Sequence, residues 1–151
     1  MINVDKKENL VTTVKFEVIK KTALKVLEHF QKKDEFDLTV FLTDNEQIKG
    51  LNLTWMGQDG PTDVLSFPSD ELEIDTGHPY LGDIIISVEK ALEQADIGGH
   101  KLEEECQLLV VHGVLHLLGL DHANEEEKRE MWDHQQQILE KLGLGSMRIT
   151  E

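Results

Sequence analysis

The amino-acid sequence predicts an α+β fold: a small mixed β-sheet with helices packed on it, and one central helix lying across a face of that sheet. Three observations carry this. Stretches with strand character and stretches with helical spacing alternate loosely along the chain. LGDIIIS, residues 81–87, is the clearest strand. Residues 102–118 read as a helix whose second half is almost wholly apolar, the pattern of a helix covered on most sides. The 151 residues show no internal repeat, low-complexity tract or linker, so one domain over residues 1–151 is expected, long enough to bury a core.

Residues 10–14, LVTTV, read as a short strand. From Phe16 to Phe30 the apolar positions Ile19, Ala23, Val26, Leu27 and Phe30 follow helical spacing, and Lys21, Lys25 and Lys32 line another face. Residues 37–43, DLTVFLT, predict a buried strand. Thr43 or Asp44 can cap a helix through about residue 55, with Ile48, Leu51 and Trp55 on its inner side. GQDGP at 57–61 is turn chemistry. PTDVLSFP at 61–68 follows as a short strand that Pro68 ends or confines to an edge. Residues 69–79 are acidic and end in GHP, which reads as a loop with His78 solvated. A helix starts near Ser87 and is broken by GGH at 98–100. Asn124 caps a last helix whose first turn is Glu125, Glu126 and Glu127. Met131, Ile138 and Leu142 face inward before Gly143 stops it.

Composition narrows the function. Hydrophobic residues make up 39%, and the longest apolar stretch, around 108–120, is interrupted by two histidines and is shorter than the ~20 residues a membrane span needs. MINVDKKENL has charges where a signal peptide has its apolar core, and the single Cys106 has no partner for an internal disulfide. A reducing, cytoplasmic location is the default expectation. The net charge is −15, unevenly spread: residues 1–33 hold eight lysines against four acids, net +4, which leaves −19 on residues 34–151. Phosphate contacts usually supply most of the attraction in nucleic-acid binding. A polyanion is therefore expected to meet the N-terminal third or a bound cation; the plainer reading has those lysines decorating a solvated helix face.

The stretch HGVLHLLGLDH places His112, His116 and His122 at i, i+4 and i+10. Positions four apart share a helix face, so His112 and His116 can hold one ion between them. Gly119 can take the left-handed conformation that ends a helix and lets the chain bring His122 back. A lone histidine on an apolar face is usually a core residue with a hydrogen-bond partner. Three at this spacing, with a glycine at the bend, predict a zinc site with an open fourth position and hence a catalytic one. Water bound there has its pKa lowered to ~7. Zinc proteases that read HExxHxxGxxH use the glutamate as base; Gly113 stands there in this chain, which argues against a peptidase.

HGVLHLLGLDH, together with PTDVLSFP and LGDIIIS, resembles the YbeY family of bacterial metal-dependent endoribonucleases, from about residue 37 to 142. The resemblance implies a single-domain cytoplasmic protein that binds one zinc ion through His112, His116 and His122 and cleaves single-stranded RNA. It further implies a part in 16S ribosomal RNA 3′-end maturation and ribosome quality control. The partners it implies are a small-subunit ribosomal protein and an assembly GTPase, with neither DNA nor membrane. Family members often carry an arginine shortly before PTxVLSFP, where this chain has Met56; its two arginines are Arg129 and Arg148. Backbone N–H groups, Thr62, Ser66 and the metal, or a lysine such as Lys49 or Lys101, would then have to grip the phosphate.

The expected reaction is metal-assisted phosphodiester hydrolysis, with either water or the ribose 2′-OH as nucleophile. Asp121 serves as base or, in the favoured reading, orients a ligand imidazole. Asp83 reads as a structural hydrogen-bonding residue. His29, His100 and His134 lack spacing partners and read as surface or interface residues, and Glu105 as part of the solvated run 103–105. The rival function is a non-catalytic, zinc-containing ribosome assembly factor, with a zinc peptidase third.

Overall fold

The computed structural model describes residues 1–69, 77–121 and 123–147. Strands β1 (Ile2–Lys6), β2 (Asp37–Thr43), β3 (Val64–Pro68) and β4 (Tyr80–Ser87) form one mixed sheet in the order β1-β2-β4-β3. β1, β2 and β4 run parallel, and β3 pairs antiparallel with β4. Helix α1 (Phe16–His29) supplies the crossover that the parallel β1–β2 pair requires. The others are α2 (Asn45–Leu51), α3 (Val88–Gly98), α4 (Leu102–Leu117) and α5 (Glu125–Lys141). This is the α+β architecture expected, with Pro68 at the end of an edge strand where its missing N–H costs no ladder bond.

The core lies on one face of the sheet. Leu38, Val40 and Leu42 of β2 and Ile84 and Ile86 of β4 are fully buried with Ile19, Ala23, Val26 and Leu27 of α1 and most of α4. Removing each of the Val, Leu and Ile side chains among them from water stabilises the fold by about 1.5–3 kcal/mol. Thr39, Phe41, Asp83 and Ile85, on the opposite face, are only half-buried. α4 is walled in as its composition requires: Val110, Val111, Val114 and Leu115 have no exposure. Cys106 is buried there too, and desolvation pushes its thiol up to about 12.

Two elements differ from expectation. LVTTV is not a strand; the N-terminal strand is Ile2–Lys6. Asn9 turns the chain with a positive φ of 70°, and Thr12 Oγ1 accepts from Val14 N–H at 3.2 Å. A threonine bonding to backbone two residues on competes with ladder pairing, and Val11 is left 94% exposed. Trp55 is not on an inner face but 68% exposed. Asp44 caps α2 through Gln47 N–H at 2.9 Å, and Ile48 is buried as predicted. The next turn, Asn52–Met56, is however π-helical. The wider turn shifts the side-chain phase. Asn52 takes the buried place, its Nδ2 donating to Gly60 O at 3.0 Å, and Leu53, Trp55 and Met56 face outward.

Candidate active site

Helix α4 carries two of the motif histidines. Its start is fixed by Glu104 Oε1, which accepts from Lys101 N–H at 2.9 Å, and by the acids Glu103 to Glu105, which suit a helix N-terminus. Its end is a left-handed glycine stop. Gly119 has φ +97°, its N–H donates to His116 O, and Leu120 N–H donates to Leu115 O, each at 3.0 Å. That 6→1 and 5→2 pair is the Schellman pattern, so the turn predicted at Gly119 forms.

Two glycines set how close α4 comes to the sheet. A Cβ on Gly113 would stand 2.9 Å from Ile84 Cγ2, and one on Gly82 would stand 2.3 Å from Phe67 O and 2.9 Å from Leu117 Cδ2. The helix therefore crosses β4 with glycine as spacer. The residue after His112 faces the sheet, and a glutamate there would be driven into Ile84.

His112 and His116 meet. Their Nε2 atoms are 3.0 Å apart, with ring centroids 4.6 Å apart at 73°, and both rings are half-buried. His112 Nδ1 lies 3.3 Å from Oε1 of Gln135 on α5. A carboxamide oxygen can only accept, so Nδ1 carries the proton and Nε2 presents its lone pair, the form a metal ligand needs. Two nitrogens on one tetrahedral zinc at ~2.0–2.1 Å stand roughly 3.3 Å apart, close to the spacing of these two. His122 lies outside the described residues, as do Arg148 and the acidic segment 70–76. Among the described residues no three metal-ligating side chains come together. Asp121 is exposed just beyond the turn.

β3 runs along the helix. Ser66 pairs with Ile84 and so shares the sheet face that meets Gly113, the residue after His112. Thr62 precedes β3, on the far side of a bend at Asp63, with Oγ1 3.4 Å from Asp63 Oδ1. Asp83 points to the opposite sheet face and accepts from the Tyr80 hydroxyl, a structural role. Lys101 begins α4 some fifteen residues before His116, ~22 Å along the axis, and is too far to grip a phosphate held there. Lys49 and Met56 are exposed.

Several polar residues have partners that sequence reasoning did not supply, and Glu105 was misplaced by it. His78 is not merely solvated: its Nδ1 lies 3.3 Å from Oδ1 of buried Asp37. His29 and His134 face one another, Nε2 to Nδ1, at 3.0 Å, and Lys141 Nζ reaches His29 Nδ1 at 2.7 Å. Glu105 is 5% exposed rather than solvated, and His100 Nε2 donates to its carboxylate. Gln135 was not singled out at all, although it sits at helical spacing between Met131 and Ile138, both predicted to face inward.

Comparisons with known proteins identify the family. The model of the family described as Endoribonuclease YbeY matches residues 1–143. The chain belongs to the YbeY endoribonuclease family. A relative from Acholeplasma laidlawii, named Endoribonuclease YbeY, is 45% identical over 87% of this chain and 90% of its own. One of the same name from Geobacillus kaustophilus is 41% identical over 90% and 92%. The solution structure of a Thermotoga maritima protein superposes with a TM-score of 0.60 at 25% identity, covering 100% of this chain and 97% of that one. In this YbeY family member β3, the strand of the PTDVLSFP stretch, lies along α4, the helix that carries His112 and His116.

Proposed function

We propose that this protein is a metal-dependent endoribonuclease that cuts single-stranded RNA, with one zinc ion held by His112, His116 and His122. The observation that carries the reading is the His112–His116 pair: two Nε2 atoms 3.0 Å apart, one of them aimed by a buried glutamine, in a chain of the endoribonuclease family. Zinc so held would supply a Lewis acid for the scissile phosphate or a lowered pKa for bound water. Gln135 holds the His112 proton on Nδ1. The Ser66 hydroxyl, on the sheet face that meets α4, donates to a phosphate oxygen, and Thr62, just before the strand, does the same. Asp121 acts beside His122 as the residue that orients an imidazole. Gly113 leaves no carboxylate for peptide hydrolysis, and Ile84 fills the space one would need.

16S ribosomal RNA 3′-end maturation, contacts with a small-subunit ribosomal protein and an assembly GTPase, a cytoplasmic location and a single domain over residues 1–151 belong to the same proposal. The negative surface supports a substrate delivered on the ribosome, because −15 repels free RNA. Among the described residues no helix is long and apolar enough to cross a membrane. The test is metal analysis joined to cleavage of a single-stranded RNA with and without chelator. Stoichiometric zinc and chelator-sensitive cleavage are expected. Undiminished cleavage by metal-free protein overturns the metal reading, and zinc-loaded protein that binds ribosomes but cuts no RNA favours the assembly factor.

A further inference from the structure

Beyond the histidine pair, α4 begins with a second buried polar group that the reaction does not use. Glu105 is 5% exposed, and its carboxylate accepts from His100 Nε2. Gln94 of α3 lies between Glu105 and Asp63. Flanked by two carboxylates, its carboxamide can satisfy both only by turning its nitrogen toward them, 3.1 Å from Glu105 Oε2 and 3.2 Å from Asp63 Oδ2. Each N–H then meets one carboxylate. Asp63 spends its other oxygen on the chain: Oδ1 accepts from Val64 N–H at 2.8 Å and lies 3.4 Å from Thr62 Oγ1. Its backbone O accepts from Ser87 N–H at 2.9 Å. A continuous path thus runs from the first turn of α4 through α3 to the start of β3.

Such a path is costly to build. Burial raises the Glu105 pKa, while the His100 hydrogen bond lowers it. Among the described residues His100 Nδ1 is buried with no hydrogen-bond partner, and a Cβ on Gly98 would stand 2.6 Å from the ring. Well-packed apolar residues of like volume would stabilise the contact as well or better. What a polar clamp adds is a fixed distance and direction. β3 has need of one, because it is an edge strand held by a single neighbour and ended at Pro68.

We propose that Gln94 and Glu105 are positioning residues for the RNA strand: by holding Asp63 they set the start of β3, and with it the Thr62 and Ser66 hydroxyls, against the helix that carries His112 and His116. This rests on the reading of those hydroxyls as substrate contacts. The zinc-loaded full chain tests it, with Gln94→Leu as the main variant and Glu105→Gln, which keeps volume and an acceptor, as the second should the first fold poorly. KM for a single-stranded RNA should rise roughly three- to tenfold, the worth of one or two hydrogen bonds, with kcat and zinc content unchanged. The increase should vanish when Thr62→Val and Ser66→Ala are already present. Amide exchange at Val64 should quicken in either variant. An unchanged KM, a loss confined to kcat, or a KM rise that persists in the Thr62/Ser66 background overturns the proposal. Val64 exchange decides the clamp without reference to RNA, so a wild-type protein that cuts no RNA sinks the nuclease reading separately.

Discussion

The molecule contains two histidine pairs at the same nitrogen spacing, and they are opposites. His29 and His134 approach to 3.0 Å on the outside of α1 and α5, and His112 and His116 approach to 3.0 Å beside α4. In the first pair an ammonium group, Lys141 Nζ, donates to His29 Nδ1, so His29 Nε2–H donates onward to His134. Every lone pair in the contact is used, and a cation already stands beside it. In the second pair the outer partner is an acceptor, Gln135 Oε1, which leaves lone-pair density turned toward the neighbouring ring. Distance alone therefore does not separate the two pairs. The group on the far side of the ring does, and it is what supports the proposed metal at the second.

The largest effect expected from breaking this contrast is at His116. His116→Ala should lose zinc and RNA cleavage by more than the roughly 100-fold that losing a mere supporting partner costs. His134→Ala should leave both within about twofold, as surface changes do. Metal analysis and initial cleavage rates on the two variants check this, and equal losses would erase the distinction. Gln135→Leu should come next, weakening zinc affinity about 10- to 100-fold with the fold retained, read by competition with a chromogenic chelator. Gly113→Ala should then destabilise by about 1–3 kcal/mol through overpacking against Ile84, partly offset by a helix-propensity gain of ~1 kcal/mol. Denaturant melts of the metal-free protein measure it.

The smallest effect concerns the outer pair and pH. Burial, with Lys141 and His134 adding to it, lowers the His29 pKa from its ordinary 6.5. The unfolded chain then binds the proton more readily than the folded one, so stability falls as pH drops below about 6.5 and stops falling below the depressed folded pKa. Thermal melts of metal-free protein between pH 7.5 and 5.5 should show a small decline that His29→Gln reduces. A decline that survives the substitution assigns the proton elsewhere.

What the sequence disclosed follows the same division. α1 and α5 were legible from an apolar period at helical spacing, and β2, β4 and the second half of α4 from runs of apolar residues. Ile2 and Val4 of β1 offer only two apolar residues among charges, enough for an edge strand that buries one face and too little to read in advance. Trp55 was misassigned because a π-helical turn leaves no period to find. The motif histidines were visible from spacing alone. Their surroundings were not: Glu105 looks like its solvated neighbours Glu103 and Glu104, and Gln135 like Gln136 and Gln137, and only the elements packed across from them separate one from the next.

The walls around α4 have a kinetic consequence. Its two imidazoles sit on a helix largely enclosed by sheet and helices, the kind of segment expected to be among the last to open. If the pair holds the proposed zinc ion, its two helix ligands would be the fixed half of the site, and the rate of ion escape would be set by what lies beyond the Gly119 turn.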